Sequence, residues 1–247
     1  MNDAALCLAV LGLFAAGIVK GATGVGYSSC ALPFLVSAVG LQPAMGLVIV
    51  PALASNVMLL FTAGHVRETA LRFWPLYAAT LPGIAAGIAL LVWIDQAIPT
   101  CVLGILIVLY AVLALARPKL HLAQTFERPA LVPVGLVNGL FTGLTGSQVM
   151  PLMPFMLAIR LDTDRFVQAN NLAVITASIF LALGLMTAGV MSVPTLAWSL
   201  GAVVPAIFGV QLGNWARQYI PAEQFRLLVL VLLIGLGLSL ALRGLIH

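Results

Sequence analysis

Charge is scarce in this sequence. Only 7% of its 247 residues are Asp, Glu, Lys or Arg, against about 25% in an ordinary soluble domain. Hydrophobic residues make up 62%, and the mean hydropathy is +1.16. Water is thereby excluded as the main solvent, and so is a disordered chain, which needs low hydrophobicity and high net charge. An outer-membrane barrel would alternate apolar and polar residues over ten-residue segments, and that pattern is absent. What remains is an all-α polytopic membrane protein. Residues 21–66 and 166–216 contain no charged side chain. One span needs only about 20 residues, so each stretch must cross or enter the bilayer more than once.

Cysteine and histidine are also few. Cys7, Cys30 and Cys101 sit in apolar segments without CxxC spacing, which argues against a disulfide framework or a thiolate metal site. His65, His121 and His247 lie in loops or at the terminus. Gly146-Ser147-Gln148 therefore has no intramembrane base beside its serine, and no paired carboxylate stands in for one. HExxH, Walker and GxGxxG patterns are absent. Neither catalysis nor a metal or organic cofactor is expected. The formal charge of +4 comes from eleven Lys and Arg residues scattered singly between apolar runs, so it marks topology and not a phosphate-binding cluster for nucleic acid. Met1-Asn2-Asp3 lacks the basic n-region of a signal peptide, so the first segment is expected to stay in the mature protein.

Apolar segments fall at about 4–19, 27–40, 43–63, 74–94 and 98–116, then at about 130–143, 147–159, 166–189, 194–214 and 227–246. The polar stretch 117–129 between the two sets reads as a cytoplasmic linker joining a first membrane repeat, 1–116, to a second, 130–247. Duplication is visible in residues. Gly17-x-x-x-Gly21-x-Thr23-Gly24 recurs as Gly139-x-x-x-Gly143-x-Thr145-Gly146, and Leu32-Pro33-Phe34-Leu35 recurs as Met153-Pro154-Phe155-Met156. A period this long signals an internal structural repeat.

Each half opens with two short apolar pieces around a glycine-rich break. Pieces of this length reach roughly 20 to 24 Å, short of a ~30 Å hydrocarbon core, and so suit a re-entrant, or short-helix, hairpin followed by three transmembrane helices. Loop charges favour this arrangement over eight simple spans. With hairpins that double back, Arg67, Arg72, Arg117, Lys119, Arg128, Arg160, Arg165, Arg217 and Arg226 share one side, with Arg243 opposite and Lys20 at a hairpin tip. Such a bias is what the positive-inside rule demands. It places those loops in the cytoplasm and both termini outside. An odd number of crossings per half makes the repeats inverted, the design of many secondary transporters. Ten full spans would leave every loop but Lys20 on the same side.

Lys20 is the basic residue inside an apolar stretch beside a glycine break. An ammonium at depth costs ~2.5 to 3.5 kcal/mol, and no carboxylate lies in an apolar segment to meet it. A bound anion would, aided by backbone N–H groups around Gly21, Gly24 and Gly26 and by the following helix start. Snorkelling to an interface is the alternative. Thr23, Gly24, Thr145 and Gly146 are the better site candidates among the break residues, because Gly17, Gly21, Gly139 and Gly143 equally suit helix packing. Ser28, Asn56, Ser147, Gln148, Asn171 and Thr176 complete the candidate substrate set, with interhelical hydrogen bonding the competing role for each. Ser55-Asn56 and residues 176–178 follow Pro33 and Pro154 at similar spacing, so they are expected at similar depth.

The sequence resembles the TauE/SafE sulfite exporter family of bacterial membrane proteins. The resemblance rests on Gly17-x-x-Lys20-Gly21-x-x-Gly24-x-Gly26 with Pro33, and on Gly135-x-x-x-Gly139-x-x-x-Gly143-x-x-Gly146 with Pro151 and Pro154. It implies a multi-pass inner-membrane transporter that exports sulfite, a sulfonate or another small organosulfur anion, with the lipid bilayer as its other partner. Lys20 fits an anionic substrate. Its repeat-equivalent, Thr142, is uncharged. A small-anion channel and a membrane scaffold without flux are the alternatives, and both monomer and homodimer stay open.

Overall fold

The computed structural model describes residues 3–24, 26–60, 65–116, 120–216, 219 and 222–246, with the side chains of 222–226 and 246 excepted. Arg117, Lys119, Arg217, His247 and the side chain of Arg226 lie outside the described residues. Those described form helices and connecting turns with no strand. The first half comprises α1 (Asp3–Thr23), α2 (Tyr27–Val39), α3 (Leu41–Leu60), α4 (Val66–Trp93) and α5 (Ala97–Ala116). The second comprises α6 (Gln124–Thr145), α7 (Leu152–Ala158), α8 (Thr163–Thr187), α9 (Val193–Gly201), α10 (Val203–Ala216) and α11 (Ala222–Ile246).

Among the described residues, seven helical stretches are long and apolar enough to cross a membrane: α1, α3, α4, α5, α8, the α9–α10 pair and residues 227–245 of α11. Large apolar side chains such as Leu71, Trp93, Val193, Phe208 and Leu228 are exposed on their outer faces. In water so many exposed apolar groups would drive aggregation; a hydrocarbon solvent accommodates them.

The hairpins differ from the sequence expectation in one arm. With 21 residues, α1 reaches about 31 Å, and α6 with 22 reaches about 33 Å. Lys20 to Thr23 thus belongs to α1, and α6 begins at Gln124, inside the stretch read as linker. The return arms are short, at 13 residues for α2 and 7 for α7. Glycine at 21 and 143 does not break the helix because tertiary packing outweighs its modest helix penalty of about 0.5 to 1 kcal/mol.

That packing is a pair of glycine seams. A Cβ added at Gly17 would come within 3.0 Å of Gly209 Cα, and one at Gly21 would land on the carbonyl of Val210. On the other side of the molecule, a Cβ at Gly83 or Gly139 would lie 3.0 Å from the other's Cα, and one at Gly87 would lie 2.9 Å from Gly143 Cα. Small residues let backbones approach this closely, which is how helices associate in lipid. Residue numbers rise together along both seams, so α1 runs parallel to α10 and α4 parallel to α6. By contrast, Gly104 faces residues 237–241 while Gly244 faces 97–101, so α5 and α11 are antiparallel. Sequence reading named Gly17, Gly21, Gly139 and Gly143 for packing but missed their partners, Gly83, Gly87, Gly209 and Gly213.

Ion pairs gather the starts of α4, α6 and α8 at one end. Arg72 holds Glu127 with two bonds of 2.7 and 2.8 Å, and Arg165 reaches Glu68 at 2.8 Å and Asp162 at 2.6 Å. Arg72 and Arg165, which the sequence places on one side, do lie at one end of the molecule. Since α3 leads into α4 there, α3 ends where α8 begins. Gly46, near the start of α3, lies against Met191 beyond the end of α8, so these two helices are antiparallel.

Candidate functional site

Lys20 projects from the last turn of α1 and is 1% exposed. It does not snorkel. Its Nζ donates to Asn56 Oδ1 on α3 at 2.8 Å and to Asn171 Oδ1 on α8 at 3.2 Å. The Asn56 amide is fixed by its own Nδ2, which donates to the Ala52 carbonyl at 2.7 Å. An ammonium has three donors, and these bonds use two of them. Both acceptors are neutral, so the positive charge is solvated but not cancelled.

A cavity of about 20 Å³, room for about one water-sized sphere, adjoins this cluster. Its walls include Lys20, Tyr27, Ser28, Asn56, Gln148 and Asn170. Several buried polar atoms here have no protein partner: Tyr27 Oη, Gln148 Oε1 and Asn171 Nδ2, with Ser147 Oγ nearby in sequence. Leaving one such group unpaired costs roughly 1 to 3 kcal/mol, and native proteins pair most of theirs. Three of these atoms belong to residues that line the cavity with Lys20 or bond to it.

Two matching turns shape the region. Gly24 has φ 79° and donates its N–H to the Lys20 carbonyl at 2.7 Å; Gly146 has φ 75° and donates to the Thr142 carbonyl at 2.8 Å. Both conformations suit glycine, which has no Cβ to clash there. After the second turn, Gln148 Nε2 donates to Ser178 Oγ at 3.1 Å, which aims the Gln148 side chain between α8 and the cavity.

The candidates separate into groups. Lys20, Ser28, Asn56, Gln148 and Gly26 border the small cavity, and Asn171 joins them through Lys20. Ser147 is buried but is not among the cavity's lining residues, and Thr145 spends its hydroxyl on the Phe141 carbonyl at 2.7 Å. Thr23 is exposed and donates to the Val19 carbonyl. Gly21 is a packing residue against α10. Gly24 and Gly146 make turns and leave the cavity wall to their neighbours. Thr176 is five residues from Asn171, hence off its helical face, and only half-buried.

The expected similar depth of Ser55-Asn56 and 176–178 is not what the structure shows. Asn171, and not residues 176–178, shares Lys20 with Asn56, and Ala54-Ser55-Asn56 resembles Ala169-Asn170-Asn171 at an offset of 115, while Pro33 and Pro154 are 121 apart. The difference arises mainly because Asn171 lies nearer the start of α8 at Thr163 than Asn56 lies to the start of α3 at Leu41. Tyr27 was missed altogether, although its place directly after Gly24-x-Gly26 could have flagged it.

A second cavity of about 580 Å³ lies beside the first, and Gly26 and Met153 line both. Among the described residues, no three His, Cys, Asp or Glu side chains gather where they could hold a metal.

No curated protein and no solved structure matches the chain. The family model described as sulfite exporter TauE/SafE matches residues 8–240, nearly the whole length, and the chain therefore belongs to the TauE/SafE family of membrane transporters.

Proposed function

We propose that this multi-pass membrane protein exports a small organosulfur anion, sulfite or a sulfonate, through a site built on Lys20. One observation carries the reading: a buried ammonium, held by neutral amides, lines a cavity with Tyr27, whose Oη lacks a partner, while Asn171, bonded to the same ammonium, has an unpartnered Nδ2. A cation plus spare donors is the complement of an oxyanion. Turning the Gln148 amide by 180° would let Oε1 accept from Ser178 and present Nε2 as one more donor.

The antiparallel relation of α3 to α8 and of α5 to α11, together with the two matched glycine seams, supports two inverted repeats, 1–116 and 130–247, that meet at this site. The basic loops then face the cytoplasm of a bacterial inner membrane and both termini face outside. A potential negative inside drives an anion outward with ~2.3 kcal/mol per charge per 100 mV, so export needs no coupled ion.

The test is sulfite and alkanesulfonate flux in proteoliposomes at clamped potential, for the native protein and Lys20→Ala. Potential-driven flux that Lys20→Ala abolishes is expected. Dependence on a proton gradient at fixed potential overturns the uncoupled mechanism, unitary currents in planar bilayers indicate a channel, and absence of all flux indicates a scaffold.

A further inference from the structure

Proline interrupts two neighbouring helices. Pro51 lies inside α3, and because proline has no N–H, the carbonyl of Leu47, four residues back, loses its helical donor. Ser199 of α9 supplies one. Its Oγ donates to the Leu47 carbonyl at 2.9 Å and accepts the Val50 N–H at 3.2 Å. A hydroxyl that is 0% exposed is thus inserted into the hydrogen-bond ladder of α3, which keeps a proline break satisfied where water is absent. One turn earlier, a Cβ at Gly46 would lie 2.8 Å from Thr195 Cγ2, so α9 runs parallel to α3 and holds its first part. In turn α9 ends at Gly201, where Pro205 removes the corresponding bond, and α10 resumes at Val203.

The segments beyond both breaks belong to the site. Asn56 Nδ2 and Ser55 Oγ donate to the Ala52 carbonyl at 2.7 and 3.0 Å, so the side chain that meets Lys20 is tied to the backbone after Pro51 and moves with it. Gly209 and Gly213 of α10 pack on α1 at residues 14–18, just before Lys20. The bonds of Ser199 go instead to Leu47 and Val50, both before Pro51. We infer that Ser199 is the positioning residue of a hinge at Pro51: it clasps the first part of α3 to α9 and leaves 52–60 to swing, bringing Asn56 onto Lys20 and withdrawing it. A few residues that absorb a backbone change suffice for such a hinge, and a break whose polar groups are already paired bends without exposing them. The hinge is a property of the fold; its use in transport rests on the anion site proposed above.

The test is hydrogen exchange of the full chain in nanodiscs, beside sulfite flux in proteoliposomes. In the native protein, amides of 52–60 are expected to exchange at least tenfold faster than those of 41–50, and equal protection on the two sides of Pro51 overturns the hinge. That boundary is read whether or not any variant folds. Pro51→Ala restores an N–H for the Leu47 carbonyl and is expected to slow exchange at 52–60 at least tenfold and to lower maximal flux at least fivefold, with KM within twofold. Undiminished flux in this variant makes the proline a fixed bend and overturns the hinge. Ser199→Ala frees the first part of α3, so Asn56 no longer returns to one place; faster exchange at 41–50 and a KM at least fivefold higher are expected, with recovery in Ser199→Thr, whose hydroxyl can make both bonds. In the Pro51→Ala background, Ser199→Ala is expected to change nothing further, because residue 51 then serves the Leu47 carbonyl. Additive effects overturn the role of Ser199. Absence of all sulfite flux with the exchange boundary at Pro51 intact overturns the proposed function and leaves the hinge standing.

Discussion

Asn56 and Asn171, on helices of opposite direction, direct their side-chain oxygens at the same ammonium, at 2.8 and 3.2 Å from Lys20 Nζ. Each half of the chain thus supplies one acceptor for a cation that only the first half carries. The site is twofold in its cradle and single in its charge. A neutral cradle holds the ammonium in place while leaving its charge available to a ligand, which a carboxylate in the same position would not do.

Asn171→Asp tests that distinction. A carboxylate at this position would pair with Lys20 by a charge-assisted bond, about twice as strong as a neutral one, and would remove the net positive charge. Anion flux is expected to fall at least tenfold while the melting temperature holds or rises. Full flux in this variant would show that the Lys20 charge does not act on the substrate.

Lys20→Met separates charge from packing. The variant gives up two hydrogen bonds from a charged donor, worth about 1.5 to 3 kcal/mol each, but also removes the desolvation penalty of a buried cation, which is several kcal/mol. These effects oppose each other, so the melting temperature is expected to shift by less than about 4 °C, whereas flux falls to the level of empty liposomes. Lys20→Arg keeps the charge, but its planar fork does not fit two acceptors arranged for a compact ammonium, and partial flux is expected. Unfolding of Lys20→Met in detergent would assign the lysine a structural role.

How much of this was readable in advance depended on whether a feature is local. The glycine turns were legible because Gly24 and Gly146 carry a motif that recurs with constant spacing, and positive φ makes that motif necessary. Lys20 stood out because an isolated charge in an apolar run is costly wherever it lies. Its partners were hidden. Asn171 lies nearer the start of its helix α8 than Asn56 does to the start of α3, so counting from the prolines pointed to residues 176–178 instead. The length of α1 was likewise misjudged at Lys20-Gly21, where contact with α10 keeps glycine helical, a fact recorded in α10 and not in α1. For Tyr27 the one signal was its place directly after Gly24-x-Gly26, since an aromatic in an apolar segment is otherwise unremarkable until its hydroxyl is found buried and unpaired.

Asp162 predicts a pH dependence at the ion-paired end. Its Oδ1 accepts the Arg165 backbone N–H at 3.0 Å, capping α8, and its Oδ2 meets the Arg165 guanidinium at 2.6 Å. The guanidinium hydrogen bond, joined by the backbone bond, holds its carboxyl below the usual aspartate range. A depressed pKa contributes stability that is whole above the unfolded value, about 3.9, and is lost as pH falls through the folded value. The native protein is therefore expected to melt above Asp162→Asn at neutral pH, and the gap to close below about pH 4. Melting curves at pH 7, 5 and 3.5 check this; a gap independent of pH would mean that capping geometry, and not charge, holds the helix start.

The two glycine seams make a paired prediction about stability. At Gly143 an added Cβ would fall on the Ile84 carbonyl and lie 2.9 Å from Ile88 N and 3.0 Å from Gly87 Cα; at Gly21 it would fall on the Val210 carbonyl and lie 2.9 Å from Asn214 N. All of these are backbone atoms, which no rotamer change can move, so the helices must separate. Gly143→Ala and Gly21→Ala are each expected to cost about 1 to 3 kcal/mol, the usual range for overpacking, and by similar amounts because the seams are alike. Gly235, in α11, has nothing within 4 Å of its Cβ position, and Gly235→Ala is expected to gain about 0.5 to 1 kcal/mol from helix propensity alone. Thermal unfolding in detergent reads all three. If Gly21→Ala is destabilising and Gly143→Ala is neutral, the seams do not bear load equally, and the case for two equivalent halves weakens at its most measurable point.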